Sequence, residues 1–208
     1  MPLALDLPEL RRRLASGSAP AFSVYGDDGA RREAAAVTPA SVLVPIVTHP
    51  GGLTVVFTQR TVHLRSHSGQ ISFPGGRAEP EDPTAEFTAL REAQEEIGLA
   101  AERVEILARL PDYFTRTGYR VTPVIGLVEP PLEPVPDPRE VADVFEVPLD
   151  FLLDPANHRR ETRHLPGGTA AFYVLQYGER RIWGATAGIL VTFYRLLAGT
   201  AAAAAPGG

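Results

Sequence analysis

The stretch ISFPGGRAEPEDPTAEFTALREAQEEIGL, Ile71 to Leu99, constrains this chain more than any other part of it. A short apolar run is broken by Pro-Gly-Gly, and a helical pattern then carries Glu92, Glu95 and Glu96 close to its end. Asp82 followed by Pro83 predicts the start of that helix. An aspartate side chain can accept from a free N–H, and proline's missing N–H costs nothing at the first helical position. Gly98 predicts the stop, so the expected helix runs from about Pro83 to Ile97. With about 100° of rotation per residue, Phe87, Leu90, Ala93 and Ile97 fall on one side. Ala85, Ala89, Glu92, Glu95 and Glu96 fall on the opposite one, giving an apolar back and an acidic front. A solvated face gains from alternating sign, whereas Glu92 and Glu96 are like charges one turn apart, opposed by the negative end of the helix dipole. A divalent cation removes both penalties, because hard oxygen ligands at i, i+3 and i+4 converge on a magnesium-sized site. The expected metal ligands are therefore Glu92, Glu95 and Glu96, holding Mg²⁺ or Mn²⁺, with Ala85 and Ala89 leaving room for a phosphate-bearing ligand.

Around this stretch the pattern is one of mixed strands and helices without regular βαβ alternation, which predicts an α+β layered domain. SVLVPIVTH (Ser41 to His49) and LTVVFTQR (Leu53 to Arg60) read as neighbouring strands joined tightly through PGG. RVEILARL, YRVTPVIGLV and TAAFYVLQY read as further strands, PLDFLL and GATAGILVTFYRLL as helices, and EPPLEPVPDPRE as an extended surface loop. The 208 residues fit a single domain, with an N-terminal surface helix at about 7–15, a core at about 41–197 and a flexible alanine-rich tail at about 199–208. Gly75 and Gly76 serve a tight turn or a close approach of backbone to metal and phosphate, and Trp183 reads as a core residue.

Several classes are excluded or disfavoured. With no cysteine there are no disulfides, thiolate metal sites or cysteine nucleophiles. A net charge of −5 argues against a surface that grips nucleic acid by its phosphates. The most apolar C-terminal window is interrupted by Arg195, and the N-terminus has the wrong order for a secretory signal. The expectation is a cytoplasmic protein acting on a small molecule, without membrane or nucleic-acid partners. Oligomeric state stays open, a homodimer among the options.

The Gly75-Gly76 pair followed by REAQEEIGL, Arg91 to Leu99, resembles the signature box of the Nudix hydrolases, which act on nucleoside diphosphates linked to another group. The resemblance implies a Nudix fold, a mixed β-sheet core sandwiched between α-helices. It also implies catalytic roles for Arg91 and for Glu95, the nearest candidate for the general base. From Gly76 to Arg91 the spacing is one residue longer than the usual pattern. The box's first glutamate, which pairs with the box arginine, accordingly falls opposite Glu81, Asp82 or Pro83.

Upstream, FTQRTVHLRSHSGQISFPGG (Phe57 to Gly76) is similar to the signature of the coenzyme A pyrophosphatase branch, and so is IWGATAGIL at Ile182 to Leu190. That branch implies hydrolysis of coenzyme A or its derivatives to 4′-phosphopantetheine and adenosine 3′,5′-bisphosphate. Arg60, Arg65 and His67, with Gly75 and Gly76, are the expected substrate-binding residues, arginine suiting phosphate by bidentate hydrogen bonding. With no cysteine and no serine-histidine arrangement, water is the expected nucleophile. The general base is Glu95 or an acid from the strip Glu140 to Glu146. The alternatives are another nucleoside diphosphate derivative as substrate, ADP-ribose or a dinucleotide, and a non-catalytic nucleotide-binding module.

Overall fold

The computed structural model describes residues 3, 5–16, 23–26, 37–62, 69–165 and 168–199. In chain order these form α1 (Leu7–Ser16), β1 (Val24–Tyr25), β2 (Thr38–His49), β3 (Gly52–Arg60), β4 (Ile71–Ser72), β5 (Gly75–Arg77) and α2 (Ala85–Ile97). They continue as β6 (Val104–Arg109), β7 (Tyr113–Phe114), β8 (Tyr119–Val128), β9 (Val141–Pro148), α3 (Leu149–Leu152), β10 (Arg159–Leu165), β11 (Gly168–Tyr177), β12 (Arg180–Trp183) and α4 (Ala185–Leu197). The predicted α+β architecture is the one observed. Arg65 and His67, and the tail beyond residue 199, lie outside the described residues.

The central strand β2 runs parallel to β8 on one side and antiparallel to β3 and β5 on the other. It is buried from Leu43 to Val47 because both of its faces are covered, hence its unbroken apolar sequence. On one face α2 packs Ala89, Ala93 and Ile97 against Leu43, Val47, Val56, Val124 and Val128. On the other, Leu10 of α1, Leu149 and Leu152 of α3, and Leu190 and Phe193 of α4 join Val44, Ile46, Phe57 and Ile125. The mixed sheet thus lies between helices. A separate three-stranded antiparallel sheet, β10-β11-β12, is tied to the main one through Arg180, which donates to Gln59 and Asp143 (both 2.6 Å).

Two expectations about α2 are corrected. The N-cap is Thr84, whose hydroxyl accepts from the Phe87 N–H at 3.2 Å; Asp82 has another partner. The buried face is also only partly the one assigned from the pattern: Ala93 and Ile97 are buried and Leu90 packs beside them, as expected. Phe87 is 47% exposed, whereas Ala89 is fully buried in the core and leaves no room for a ligand. The buried face is rotated toward one edge of the acidic side, so that Glu96 is buried with Ala89, Ala93 and Ile97 while Glu95 stays exposed. PLDFLL forms only the single turn of α3, and the acid-rich strip after Glu140 is the strand β9, paired with β3. Trp183 is half-buried at the end of β12, edge-on to Phe172, and not a core side chain.

Candidate active site

The glycine pair sets the position of the carboxylates. β5 pairs with β2 so closely that a Cβ on Gly75 would stand 2.5 Å from the Ser41 carbonyl oxygen and 2.6 Å from Val42 Cα. Only glycine fits there, and its N–H is left to donate to Glu96 Oε2 at 3.2 Å. At Gly76 a Cβ would lie 2.5 Å from the Glu92 carboxylate, so the second glycine makes room for that side chain. The close approach at these glycines is to the β2 backbone and to the Glu92 and Glu96 carboxylates.

Arg91 is the organiser of the helix face. Its Nε and Nη2 donate to the two oxygens of Asp82 at 3.2 and 3.0 Å, and Nη2 also reaches the Arg77 carbonyl at 3.1 Å. Nη1 contacts Glu92 at 2.9 Å and Glu95 at 3.2 Å. The Asp82 side chain, 2% exposed, accepts in addition from the Thr88 hydroxyl and the Glu79 N–H. The Arg91 guanidinium holds the Asp82 carboxyl down at about 2, below the ordinary carboxylate range. Of the three positions left open by the sequence, Asp82 is therefore the partner of Arg91.

Burial acts oppositely on the other side of α2. Glu96 is 5% exposed, and loss of solvation pushes its carboxyl up to about 7 despite the Gly75 N–H and Arg60. Glu92 is raised for the same reason, with Arg91 opposing. Glu95 is exposed at the rim.

Glu92, Glu95 and Glu96 line one cleft of about 340 Å³ together with Asp137, Arg139 and Glu140 from the segment after β8. That segment closes over the end of α2, the Val135 and Asp137 N–H groups donating to the carbonyls of Ile97 and Glu96 at 2.9 Å each. These donors satisfy helix-end carbonyls and fix Glu140 across from the helix. Arg60, expected to meet substrate, stands beside two residues of this cleft, 3.4 Å from Glu96 and 3.7 Å from Glu140. The sequence pattern pointed to the Glu140–Glu146 strip as a whole; only Glu140 of it lines the cleft. Asp143 pairs with Arg180, and Glu146 lies 2.6 Å from His49.

The donor set fits a hard divalent cation: oxygen ligands only, one of them, Glu96, a buried carboxylate and another, Glu92, half-buried, whose charge the protein alone compensates poorly. As the side chains stand, no three of the described carboxylates and imidazoles converge as a finished ligand set. Glu92 and Glu95 turn to Arg91 and Glu96 to Arg60 and Gly75.

The NUDIX domain family matches residues 37–166. The chain is 40% identical over 151 residues to an uncharacterized Nudix hydrolase NudL of Yersinia pestis (strain Pestoides F), covering 73% of this chain and 75% of the relative. The same figures hold for the protein of that name from Yersinia pseudotuberculosis serotype IB (strain PB1/+). Among solved structures, the chain is similar to RenU, a Nudix hydrolase from M. smegmatis (27% identity, TM-score 0.45, covering 63% of this chain and 81% of that one). It is also similar to the NUDIX domain of Shewanella oneidensis NrtR complexed with ADP ribose (22% identity, TM-score 0.44, covering 68% and 84%).

Proposed function

The chain belongs to the Nudix family, and from that premise we propose that it hydrolyses the pyrophosphate bond of coenzyme A or its derivatives, giving 4′-phosphopantetheine and adenosine 3′,5′-bisphosphate. The observation that carries the hydrolytic part is the gathering of Glu92, Glu95, Glu96 and Glu140 on the walls of one cleft beside the glycine pair. The choice of coenzyme A is supported by the resemblance of Phe57 to Gly76 and of Ile182 to Leu190 to that branch.

Glu92, Glu95 and Glu96 are the residues that would hold Mg²⁺ or Mn²⁺. When bound, such a cation neutralises pyrophosphate charge and lowers the pKa of a water it carries. The chain's own residues supply orientation and proton acceptance. Arg91, locked by Asp82, sets the direction of Glu92 and Glu95, and the Gly75 N–H sets that of Glu96. Glu140, about half exposed on the facing segment, is placed to take the proton of an attacking water without belonging to the helix set.

The test is a panel of coenzyme A, its acetyl thioester, ADP-ribose and diadenosine polyphosphates at equal concentration with Mg²⁺ or Mn²⁺, products separated by chromatography. Coenzyme A or its thioester should give the highest kcat/KM. Preference for ADP-ribose or a dinucleotide would move the assignment within the family, and binding without product in every case would make the chain a nucleotide-binding module.

A further inference from the structure

Two guanidiniums face the carboxylates of the cleft, and they are held very differently. Arg91 cannot leave: two of its nitrogens are locked on buried Asp82, and one also bonds the Arg77 carbonyl. Arg60 has no such anchor. Its guanidinium is partnered, among the described residues, by Glu96 (3.4 Å) and Glu140 (3.7 Å) alone. Both contacts are long for charge-assisted hydrogen bonds. Its backbone, in contrast, is fixed. The Arg60 N–H donates to the Gln70 carbonyl (2.9 Å), and Thr61 donates from its N–H to the Glu140 carbonyl (2.9 Å) and from its hydroxyl to the Arg139 carbonyl (3.3 Å). The base of the side chain is thus fixed, and its tip is held, among the described residues, by those two long contacts alone.

The oxygens of Glu96 are divided in a way that matters. Oε2 is occupied by the Gly75 N–H, and Oε1 is the one facing Arg60. A cation that approaches Glu96 from the cleft needs Oε1, and like charges cannot share it at hydrogen-bond range. Taking the cleft as the metal-dependent hydrolytic site proposed above, we propose that Arg60 is a displaceable stand-in for the divalent cation: it competes with the metal for Glu96 and Glu140, and turns onto a substrate phosphate when displaced. The exchange makes metal and substrate bind cooperatively, because a phosphate that engages Arg60 removes the competitor for Glu96, and by linkage the metal tightens the substrate equally. It also frees Glu140 from its ion pair when both are present.

The experiment is isothermal titration of the full chain with Mn²⁺ alone, then at equal free Mn²⁺ with adenosine diphosphate, for the unmodified protein, Arg60→Gln and Arg60→Lys. Arg60→Gln should bind Mn²⁺ alone more tightly, by about fivefold or more, the lower end of ordinary coupling between sites, and the nucleotide should improve that affinity by correspondingly less than it does for the unmodified protein. Arg60→Lys keeps the competing charge and should stay within about twofold of the unmodified protein for Mn²⁺ alone, while binding the nucleotide less well because the bidentate geometry is gone. Equal or weaker Mn²⁺ binding by Arg60→Gln, or tightening by Arg60→Lys to the same extent, overturns the exchange and leaves the metal site standing. No Mn²⁺ binding by the unmodified protein, even with the nucleotide, overturns the site and the exchange together.

Discussion

Replacing Glu96 by glutamine should make the protein more stable and inactive at once, and the size of the first effect follows from the site. Burial displaces the Glu96 carboxyl from its ordinary 4.5 to about 7, against the pull of the Gly75 N–H and Arg60. Each pH unit of such a displacement corresponds to about 1.4 kcal/mol, so the ionised side chain costs the fold about 3 kcal/mol above pH 7. The sign follows from proton uptake. Between 4.5 and about 7 the folded protein holds a proton that the unfolded chain has already released, so stability falls as pH rises through that window and then levels off. Glutamine has the same shape, can still accept from the Gly75 N–H, and does not ionise. In EDTA, Glu96→Gln should therefore match the unmodified protein near pH 5 and exceed it at pH 8 by up to about 3 kcal/mol, a Tm difference of ~6–12 °C for a chain of this size. Saturating Mn²⁺ should narrow or reverse the gap, since only the unmodified protein gains RT ln(1 + [Mn²⁺]/Kd) in full. Turnover should drop at least about a hundredfold. Thermal unfolding of both proteins at the two pH values, with EDTA and with Mn²⁺, is the measurement. A variant less stable than the unmodified protein at pH 8 in EDTA, or a gap that does not change between pH 5 and 8, would refute the claim that desolvation dominates at Glu96.

Asp82→Asn leaves the half-buried Arg91 with Glu92, Glu95 and the Arg77 carbonyl, so it should cost about 2 kcal/mol, less than the roughly 3–5 kcal/mol of a pair broken with no second partner. Chemical denaturation at pH 7 reads this, and the difference should vanish as pH falls through about 2, where the Asp82 carboxyl itself takes a proton. The two glycines should fail differently. Gly76→Ala pushes only on the Glu92 carboxylate and should lower kcat/KM by about a hundredfold with Tm nearly kept, whereas Gly75→Ala drives a methyl into the β2 backbone and should show first as loss of soluble folded protein.

Much of the sheet could be read directly. The β-branched runs Ser41 to His49 and Leu53 to Arg60 are neighbouring strands, Ile46 opposite Val55 and His49 opposite Gly52, because β-branched runs and a Pro-Gly-Gly turn between them are local signals. Strand β10 carried no such signal, since its described side chains from Arg159 to His164 are all exposed and no apolar period is written into it. The apolar side of α2 was read correctly at Ala93 and Ile97 but not at Phe87, Ala89 and Glu96, and for a deeper reason. The periodicity argument assumes that carboxylates point to water, and Glu96 does not; the residue that breaks the rule is one the cleft requires to be buried, where a local rule is expected to give way.

The displaced start of that helix has the same origin. Asp82 and Thr84 are both good caps, and the sequence offers no way to choose between them. The choice is made at a distance, by Arg91 nine residues on, whose guanidinium takes both oxygens of Asp82 and leaves Thr84 to cap. A shorter acid on a longer loop thus reaches the same arginine that the usual spacing serves with a glutamate. Lengthening the side chain alone, as in Asp82→Glu, would push a methylene into a space that is already closed, with Thr88, Glu79 and Arg91 all within 3.2 Å of the carboxylate oxygens. The extra loop residue and the aspartate are therefore one adaptation, and restoring the usual glutamate should be tolerated only together with removal of one residue from the Arg77–Glu81 segment.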